Sequence, residues 1–250
     1  MFSWTLTPQA PRRRPGRLAV LVIVAVALVV AAAGYVISRA HTYTPPTQRS
    51  SAPVPSGGSS GRSDRVNLSG TTWHDFHGIR LPHDRANGPA HTGHHRAWGF
   101  ADTAGGAVFA AVHIGVRANA QWGPATFTPT IRKQIAGPDK AALMKETESS
   151  YEALARKAGV TPGAPVGRAY AIEEAFRVES FTPDAATVDI VTAGPGNDGT
   201  TVRAATRIQL TWRRGDWRVL APPGGDWGAT AHTISSLDGY RTFGDEQGGI

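Results

Sequence analysis

Residues 210–223 read LTWRRGDWRVLAPP, and this stretch decides the fold of the C-terminal part of the chain. Apolar residues stand at every second position from Ile208 to Trp212, which is the period of a half-buried strand. Residues 214–216, Arg-Gly-Asp, then predict a tight hairpin. Trp217 and Val219 lie on the return strand. The two prolines that follow end this strand, because proline has no N–H to donate to a sheet ladder.

Two further strands are predicted before this hairpin. Residues 170–179 alternate with a period of two and place Tyr170, Ile172, Phe176 and Val178 on one face. Val188 and Ile190 mark the next strand, and residues 194–199, GPGNDG, predict a turn after it. Beyond the hairpin, the Gly-rich C-terminal stretch offers three apolar anchors, Ile234, Leu237 and Tyr240.

Three helices are predicted ahead of the strands. Residues 104–118 follow the N-cap side chains of Asp102 and Thr103, and a second, short helix is expected over residues 129–135. The third opens at Pro138 and Asp139 and runs to Ala158, where Gly159 stops it. Its buried stripe is expected to consist of Leu143, Thr147, Tyr151, Leu154 and Ala158.

Residues 67–100 show neither a helical nor a strand period, so this part is expected to be a loop held by aromatic anchors. Helices followed by an antiparallel meander predict an α+β domain in which a curved sheet wraps one helical face.

The N-terminal part predicts a membrane anchor. Residues 18–37, from Leu18 to Ile37, read LAVLVIVAVALVVAAAGYVI without a charge and are long enough to cross the hydrocarbon core once. Four arginines precede this stretch, which places residues 1–17 in the cytoplasm and the C-terminal domain outside the cell membrane. A cleaved signal peptide would have a shorter apolar core.

The anchor and the domain are joined by a predicted tether. Residues 38–65 are rich in Pro, Ser, Gly and Thr and offer little apolar surface to bury, which favours a flexible linker. The single extracytoplasmic domain is then expected over residues 66–250. The lipid bilayer is accordingly the first predicted partner of the chain.

The amino-acid composition excludes several kinds of functional site. The chain has 250 residues, 40% of them apolar, so the C-terminal bulk is expected to fold. The absence of cysteine excludes disulfides, thiolate catalysis and Cys-ligated metal sites. The net charge of +7 is mostly scattered, and its one dense group, Arg12 to Arg17, is typical of a membrane-topology signal. Direct binding of nucleic acid is therefore not expected.

The order of helices, long strand and hairpins ending in LTWRRGDWRVLAPP resembles the cone fold of the nuclear-transport-factor-like domains. With the basic tail, the span and the tether, the chain resembles single-pass scaffold proteins of type IV secretion and Gram-positive conjugation machines. Three segments (residues 71–92, 98–114 and 122–138) are similar to membrane proteins of actinobacterial integrative conjugative elements. The resemblance implies a structural role in a transfer channel, and it carries over no catalytic residue.

A cluster of histidines is the first candidate for chemistry, because imidazoles bind zinc and copper. It is too rich in Gly and Pro to hold its ligands on one helical face, and only Asp75 and Asp84 could add carboxylates, so no metal site and no cofactor are expected. The alternative is a surface loop pinned by aromatic side chains. The cluster comprises His74, His77, His83, His91, His94 and His95.

The mouth of the cone is the second candidate. Glu174 shares the parity of Ile172 and Phe176, so its carboxylate is expected to point inward. His113, inside an apolar helix, could pair with it as an acid/base couple, whereas a satisfied buried hydrogen bond is the favoured alternative. Trp122, Trp227 and Tyr240 are expected either to form a docking surface or to cap the core.

These observations predict a non-enzymatic, membrane-anchored scaffold that acts through protein contacts with secretion-machine components or with copies of itself. Neither a Gly-x-Ser-x-Gly motif nor a Walker-type phosphate loop is present. The first alternative is a ligand-binding or sensory domain that uses the cone mouth. The second is an extracytoplasmic enzyme or metal protein built on the histidine cluster.

Overall fold

The structure is a computed structural model that describes residues 65–93, 95–196 and 199–244. The predicted cytoplasmic tail (1–17), the predicted membrane span (18–37) and all but the last residue of the predicted linker (38–65) lie outside these residues. Within the described ranges, no helix is both long and apolar enough to cross a membrane.

The N-terminal part of the domain forms two small hairpins, so the prediction of an irregular loop over residues 67–100 is wrong. Strand β1 (Thr72–Phe76) pairs with β2 (Ile79–His83), and β3 (His91–Thr92) pairs with β4 (Ala97–Trp98). The β1–β2 turn is made by His77 and Gly78, whose φ angles are 54° and 100°. Such positive angles suit a two-residue hairpin turn. The hairpins lack the alternation of a half-buried strand, which is why the sequence does not reveal them.

Three α-helices follow in the described part of the chain. Helix α1 (Ala104–Arg117) begins as predicted, with Thr103 Oγ1 accepting a 3.0 Å hydrogen bond from Gly106 N. Helix α2 (Pro124–Gln134) starts five residues before the predicted position, because Pro124 and not Pro129 lies in its first turn. Helix α3 (Lys140–Ala158) ends, as predicted, at Gly159, whose φ is +64°.

The buried stripe of α3 is largely the predicted one. Leu143, Thr147, Tyr151 and Leu154 are buried. Ala155, and not Ala158, completes the stripe, because Ala158 is the last residue of the helix and is only half-buried.

The predicted meander is the centre of a seven-stranded sheet. It consists of β6 (Ile172–Phe181), β7 (Ala185–Pro195), β8 (Thr201–Arg213) and β9 (Asp216–Leu220), each antiparallel to the next. The turn between β8 and β9 is at Arg214 and Gly215, both with positive φ, as the Arg-Gly-Asp sequence predicts.

Three short strands that the sequence does not reveal extend this sheet. After α2, β5 (Ile135–Ala136) runs parallel to β9 at one edge. At the other edge β11 (Arg241–Thr242) pairs with β6. The remaining strand, β10 (Ala231–Ile234), pairs with the first half of β8, whose second half pairs with β9. The result is an α+β domain with a curved, mixed sheet.

Helix α1 packs on the inner face of the sheet and is buried over almost its whole length. Asp216 ties the segment before this helix to the sheet, because its Oδ1 accepts a hydrogen bond from Phe100 N at 3.1 Å. The buried Trp217 adds a hydrogen bond from its Nε1 to Ala101 O at 2.9 Å.

The outer face of the sheet carries a smaller apolar cluster. Ala175, Val191 and Ala205 are buried there. The three predicted anchors of the C-terminal stretch cover this cluster, which confirms their assignment. They are Ile234, Leu237 and Tyr240.

Candidate ligand cavity

A cavity of about 320 Å³ lies between α1, α3 and the inner face of the sheet. This volume is at the lower end of the range for small-molecule sites. Most of its wall is apolar, with small side chains from α1 and larger ones from the sheet. The apolar lining includes Ala111, Val112, Val116, Leu143, Ile190 and Ile208.

Gly115 provides space within this wall. A methyl group at its position would lie 3.6 Å from Ile208 Cδ1, which is an ordinary van der Waals distance. Helix α1 therefore carries a glycine where the fold would accept a side chain, and the missing side chain adds to the volume of the cavity.

Residues 223–231 close one side of the cavity after β9. Gly225 lies directly against the first turns of α3, and a methyl group there would lie 2.3 Å from Leu143 N. Its φ of +79° also favours glycine. This close contact brings Asp226 and Trp227 to the cavity wall.

Glu173 is the buried acid of the cavity. Its residue is only 5% exposed, and its Oε2 accepts a 2.9 Å hydrogen bond from Thr192 Oγ1 on the neighbouring strand. Burial raises the pKa of Glu173 to about 7, and the hydrogen bond from Thr192 acts in the opposite direction. The carboxyl group therefore changes its charge near neutral pH.

A β-bulge decides which glutamate faces the cavity. Glu173 pairs with Thr192 and Ala175 pairs with Val191, so Glu174 is an extra residue in β6. Residues on the N-terminal side of the bulge therefore face opposite to the direction that simple alternation from Phe176 predicts. The prediction that Glu174 points inward is therefore wrong, and Tyr170, expected on the same face, is 47% exposed.

Glu174 instead forms an ion pair with Arg203 of β8. Arg203 Nε donates to Glu174 Oε2 at 2.6 Å, and its Nη2 donates to Oε1 at 2.9 Å. This two-point contact raises the pKa of the Arg203 guanidinium. Glu174 thus serves to hold the bulge to the sheet.

His113 makes the satisfied buried hydrogen bonds that the sequence favours. Its Nε2 lies 2.7 Å from Pro82 O, and its Nδ1 lies 2.9 Å from Nη1 of Arg117. A guanidinium group only donates, so Nδ1 accepts and Nε2 carries the proton that is donated to Pro82 O. Burial, with the nearby charge of Arg117, lowers the pKa of His113 well below 6.5. The alternative, an acid/base couple of His113 with Glu174, is not formed.

Arg117 is itself buried, with 3% of its surface exposed. Its guanidinium lies 4.3 Å from the centre of the Phe76 ring, and desolvation lowers its pKa to about 10. This cation supports the packing of β1 on α1 and keeps His113 neutral.

The histidine cluster is spread over the two N-terminal hairpins. His74 and His83 lie edge to face with ring centres 5.2 Å apart, while His77 stacks on Trp122 and His91 on Trp98. In the part of the chain that the structure describes, which excludes His94, no three metal-ligating side chains come together.

The two aspartates next to this cluster are bound elsewhere. Asp84 accepts hydrogen bonds from Thr71 Oγ1 and Asn87 Nδ2, at 3.0 and 2.7 Å. Asp75 forms an exposed ion pair with Arg168 at 3.0 Å. Asp84 therefore stabilises the segment that follows β2, while the exposed ion pair of Asp75 contributes little.

Of the two alternatives predicted for Trp122, Trp227 and Tyr240, a docking surface or a cap on the core, the structure shows the cap. Trp122 is 2% exposed and donates its Nε1 proton to Val116 O at 2.6 Å. Trp227 is partly buried at the cavity, and Tyr240 covers the outer cluster with Arg177 4.6 Å from its ring centre.

The chain thus forms an α+β domain whose interior cavity is lined mostly by apolar side chains and contains one buried acid, Glu173. Residues 37–242 match the family model described as Domain of unknown function (DUF8175), and the chain belongs to this family. No curated protein and no solved structure matches the sequence.

Proposed function

We propose that the domain binds a small organic ligand in the cavity between α1, α3 and the sheet. The observation that carries the proposal is a carboxyl group at 5% exposure inside an apolar cavity of about 320 Å³. Burying an ionisable group costs folding free energy unless its interactions compensate for it. Perturbed acids in a cavity are therefore a common mark of a binding site.

The proposal includes the cone-like, nuclear-transport-factor-like architecture and the single-pass anchor at residues 18–37. In this arrangement the cavity would open outside the cell membrane, at the end of a Pro- and Ser-rich tether. A binding role is favoured over a catalytic one because His113 and Glu174 do not contact each other. His113 is held by Pro82 and Arg117, and Glu174 is held by Arg203.

The test uses the full-length chain in lipid nanodiscs and ligand-observed NMR. The compounds have about ten non-hydrogen atoms, since a water molecule occupies about 30 Å³ of liquid. They include cationic, neutral and anionic members, and empty nanodiscs correct for partitioning into lipid. Gly115→Leu fills the cavity, and Ala141→Leu adds similar apolar bulk at an exposed position of α3.

We expect binding signals that Gly115→Leu removes and Ala141→Leu retains. If no compound shows a signal that depends on Gly115, the proposed ligand-binding function is wrong. Circular dichroism of both variants checks that the fold is unchanged.

A scaffold role in a conjugation or secretion machine is the second candidate. The charge-free stretch from Leu18 to Ile37 and its tether favour this role, because a membrane-tethered domain can reach neighbouring machine components or other copies of itself. Cross-linking the full-length protein in its own membranes, followed by mass spectrometry, tests this role. Capture of secretion-channel subunits, or of cross-linked oligomers of the protein, is the expected outcome, and recovery of the monomer without a cross-linked partner contradicts it.

A further inference from the structure

The charged side chains that line the cavity are all acidic. They are Glu146 of α3, Glu173 of β6 and Asp226 of the segment after β9. Among the described lining residues there is no Lys, Arg or His. The part of α1 that lines the cavity is apolar, and Arg203 of β8 is bound by Glu174. A bound anion would therefore meet only charges of its own sign.

The positions of the three carboxylates differ in depth. Glu173 is buried, whereas Glu146 and Asp226 are exposed at the rim. Rim charges act through water and attract a cation weakly, while a buried carboxylate interacts strongly because the surrounding dielectric is low. The strongest electrostatic interaction is therefore at the bottom of the cavity, beside Thr192.

Aromatic side chains are also part of the cavity wall. Trp122 and Trp227 both line the cavity. The negative face of an indole ring attracts an ammonium group, and the attraction is larger where water is excluded. The remaining apolar lining favours a hydrocarbon body on the same ligand.

We propose, on the basis of the ligand-binding function above, that the ligand is a small organic ammonium ion with an apolar body. Its ammonium group donates to the carboxylate of Glu173, and its body contacts α1 and Ile208. The rim carboxylates of Glu146 and Asp226 increase the local concentration of such cations.

The ion pair between the ammonium group and Glu173 makes the binding affinity depend on the protonation of Glu173. In the empty protein the pKa of Glu173 is about 7, so at acid pH the incoming ammonium ion must displace a proton from the carboxyl group. Affinity then rises with pH, by up to about tenfold per pH unit below pH 7, and levels off above it. A neutral ligand that accepts a hydrogen bond from the protonated acid would show the opposite slope.

The experiment compares three probes of similar size on the full-length chain in nanodiscs. They are 2-phenylethylamine, which stays protonated at neutral pH, the neutral 2-phenylethanol and the anionic phenylacetate. Dissociation constants are measured by ligand-observed NMR from pH 5.5 to pH 8. The variants are Glu173→Gln, and Asp226→Asn as a second variant that keeps a side-chain oxygen for the cap to Gly228 N.

We expect the amine to bind most tightly and its affinity to increase with pH. Glu173→Gln should weaken amine binding on the order of 10- to 100-fold and remove the pH dependence, since a charge-assisted hydrogen bond is lost. Asp226→Asn should weaken it by about two- to threefold, because an exposed charge is screened.

The outcomes separate the two proposals. If the alcohol or phenylacetate binds more tightly than the amine, and Gly115→Leu removes that binding, a ligand cavity exists and the ammonium proposal is overturned. An amine affinity that falls as the pH rises also overturns it. If no probe binds in a way that depends on Gly115, the ligand-binding function itself fails.

Discussion

Glu173 and Thr192 face each other across β6 and β7, and the hydroxyl group of Thr192 donates directly to the buried carboxyl group. Desolvation raises the pKa of Glu173 from its ordinary 4.5 to about 7, and it outweighs the hydrogen bond from Thr192, which acts in the opposite direction. Folding therefore disfavours the ionised form of Glu173 relative to the unfolded chain.

The first prediction concerns the pH dependence of stability. Because the folded pKa of Glu173 is the higher one, its contribution is fully present below about pH 4.5 and is lost as the pH rises through 7. Between pH 4.5 and a pH above 7, we expect the unfolding free energy of Glu173→Gln to rise by about 3 kcal/mol relative to that of the parent chain. Urea unfolding followed by Trp fluorescence at pH 4.5, 6 and 8 measures the difference. A difference that does not change with pH would contradict the prediction.

The second prediction concerns the neutral state of His113. Its folded pKa lies well below 6.5, so the unfolded chain takes up this proton first and stability falls as the pH drops below 6.5. We expect ¹⁵N NMR to show His113 as the neutral Nε2–H tautomer at pH 5.5.

His113→Gln should reduce the acid-side loss of stability. The control is His232→Gln on the exposed β10, which should change the unfolding free energy by less than about 0.5 kcal/mol. A protonated His113 at pH 5.5 would show that the hydrogen bond from Arg117 does not hold the tautomer.

The third prediction tests the contact that brings the segment after β9 to the cavity. Gly225→Ala would place a methyl group 2.3 Å from Leu143 N, whereas a methyl group at the adjacent Gly224 meets no described atom within 4 Å. Both glycines have positive φ, 79° and 65°, so the backbone strain is similar. We expect Gly224→Ala to cost about 1 kcal/mol and Gly225→Ala at least about 3 kcal/mol. Equal costs would mean that the close approach to α3 is not required.

The fourth prediction concerns the ion pairs on the outer face. Asp189 of β7 accepts hydrogen bonds from Arg177 at 2.8 Å and from Arg207 at 2.8 and 3.0 Å. Burial acts to raise the pKa of Asp189, but the hydrogen bonds from the two arginines outweigh it, so the pKa lies below 3.8. Its contribution is present above pH 3.8 and lost as the pH falls through the lower, folded value.

Asp189→Asn should destabilise the domain by about 2 kcal/mol at pH 7, a value reduced for the partial exposure of both arginines. The matched control is Asp75→Asn, which removes an exposed ion pair with Arg168 and should cost less than about 0.5 kcal/mol. Thermal unfolding of the three chains at pH 7 decides between them. Equal losses for both variants would contradict the prediction.

The sequence predicts the regular elements with strong periods. Helices α1 and α3 and the β6 to β9 meander follow from apolar spacing, the Thr103 cap, Gly159 and the Arg214-Gly215 turn. The short strands β10 and β11 cannot be predicted in this way, because they form only by pairing with β8 and β6, which are distant in the sequence. The β1–β2 hairpin is missed because its apolar residues do not alternate regularly with polar ones and Pro82 interrupts the second strand.

The sequence predicts the candidate site only in outline. The alternation of β6 predicts an inward-facing acid but assigns this position to Glu174. The signal that could have corrected this choice is the Glu173-Glu174 doublet inside a strand. Two adjacent acids cannot both lie on the solvated face of a regular strand, and a bulge is one way to separate them.

Because of the same doublet, the cavity can keep a buried acid when one residue of β6 is deleted. If one of the two glutamates is deleted, β6 can pair with β7 without a bulge while Ala175 stays opposite Val191, and the remaining glutamate falls opposite Thr192. Ile172 would stay opposite Ala193, and Arg203 would lose its partner. Through deletion of a single codon, the cavity would keep its acid while the outer face of the sheet loses one negative charge.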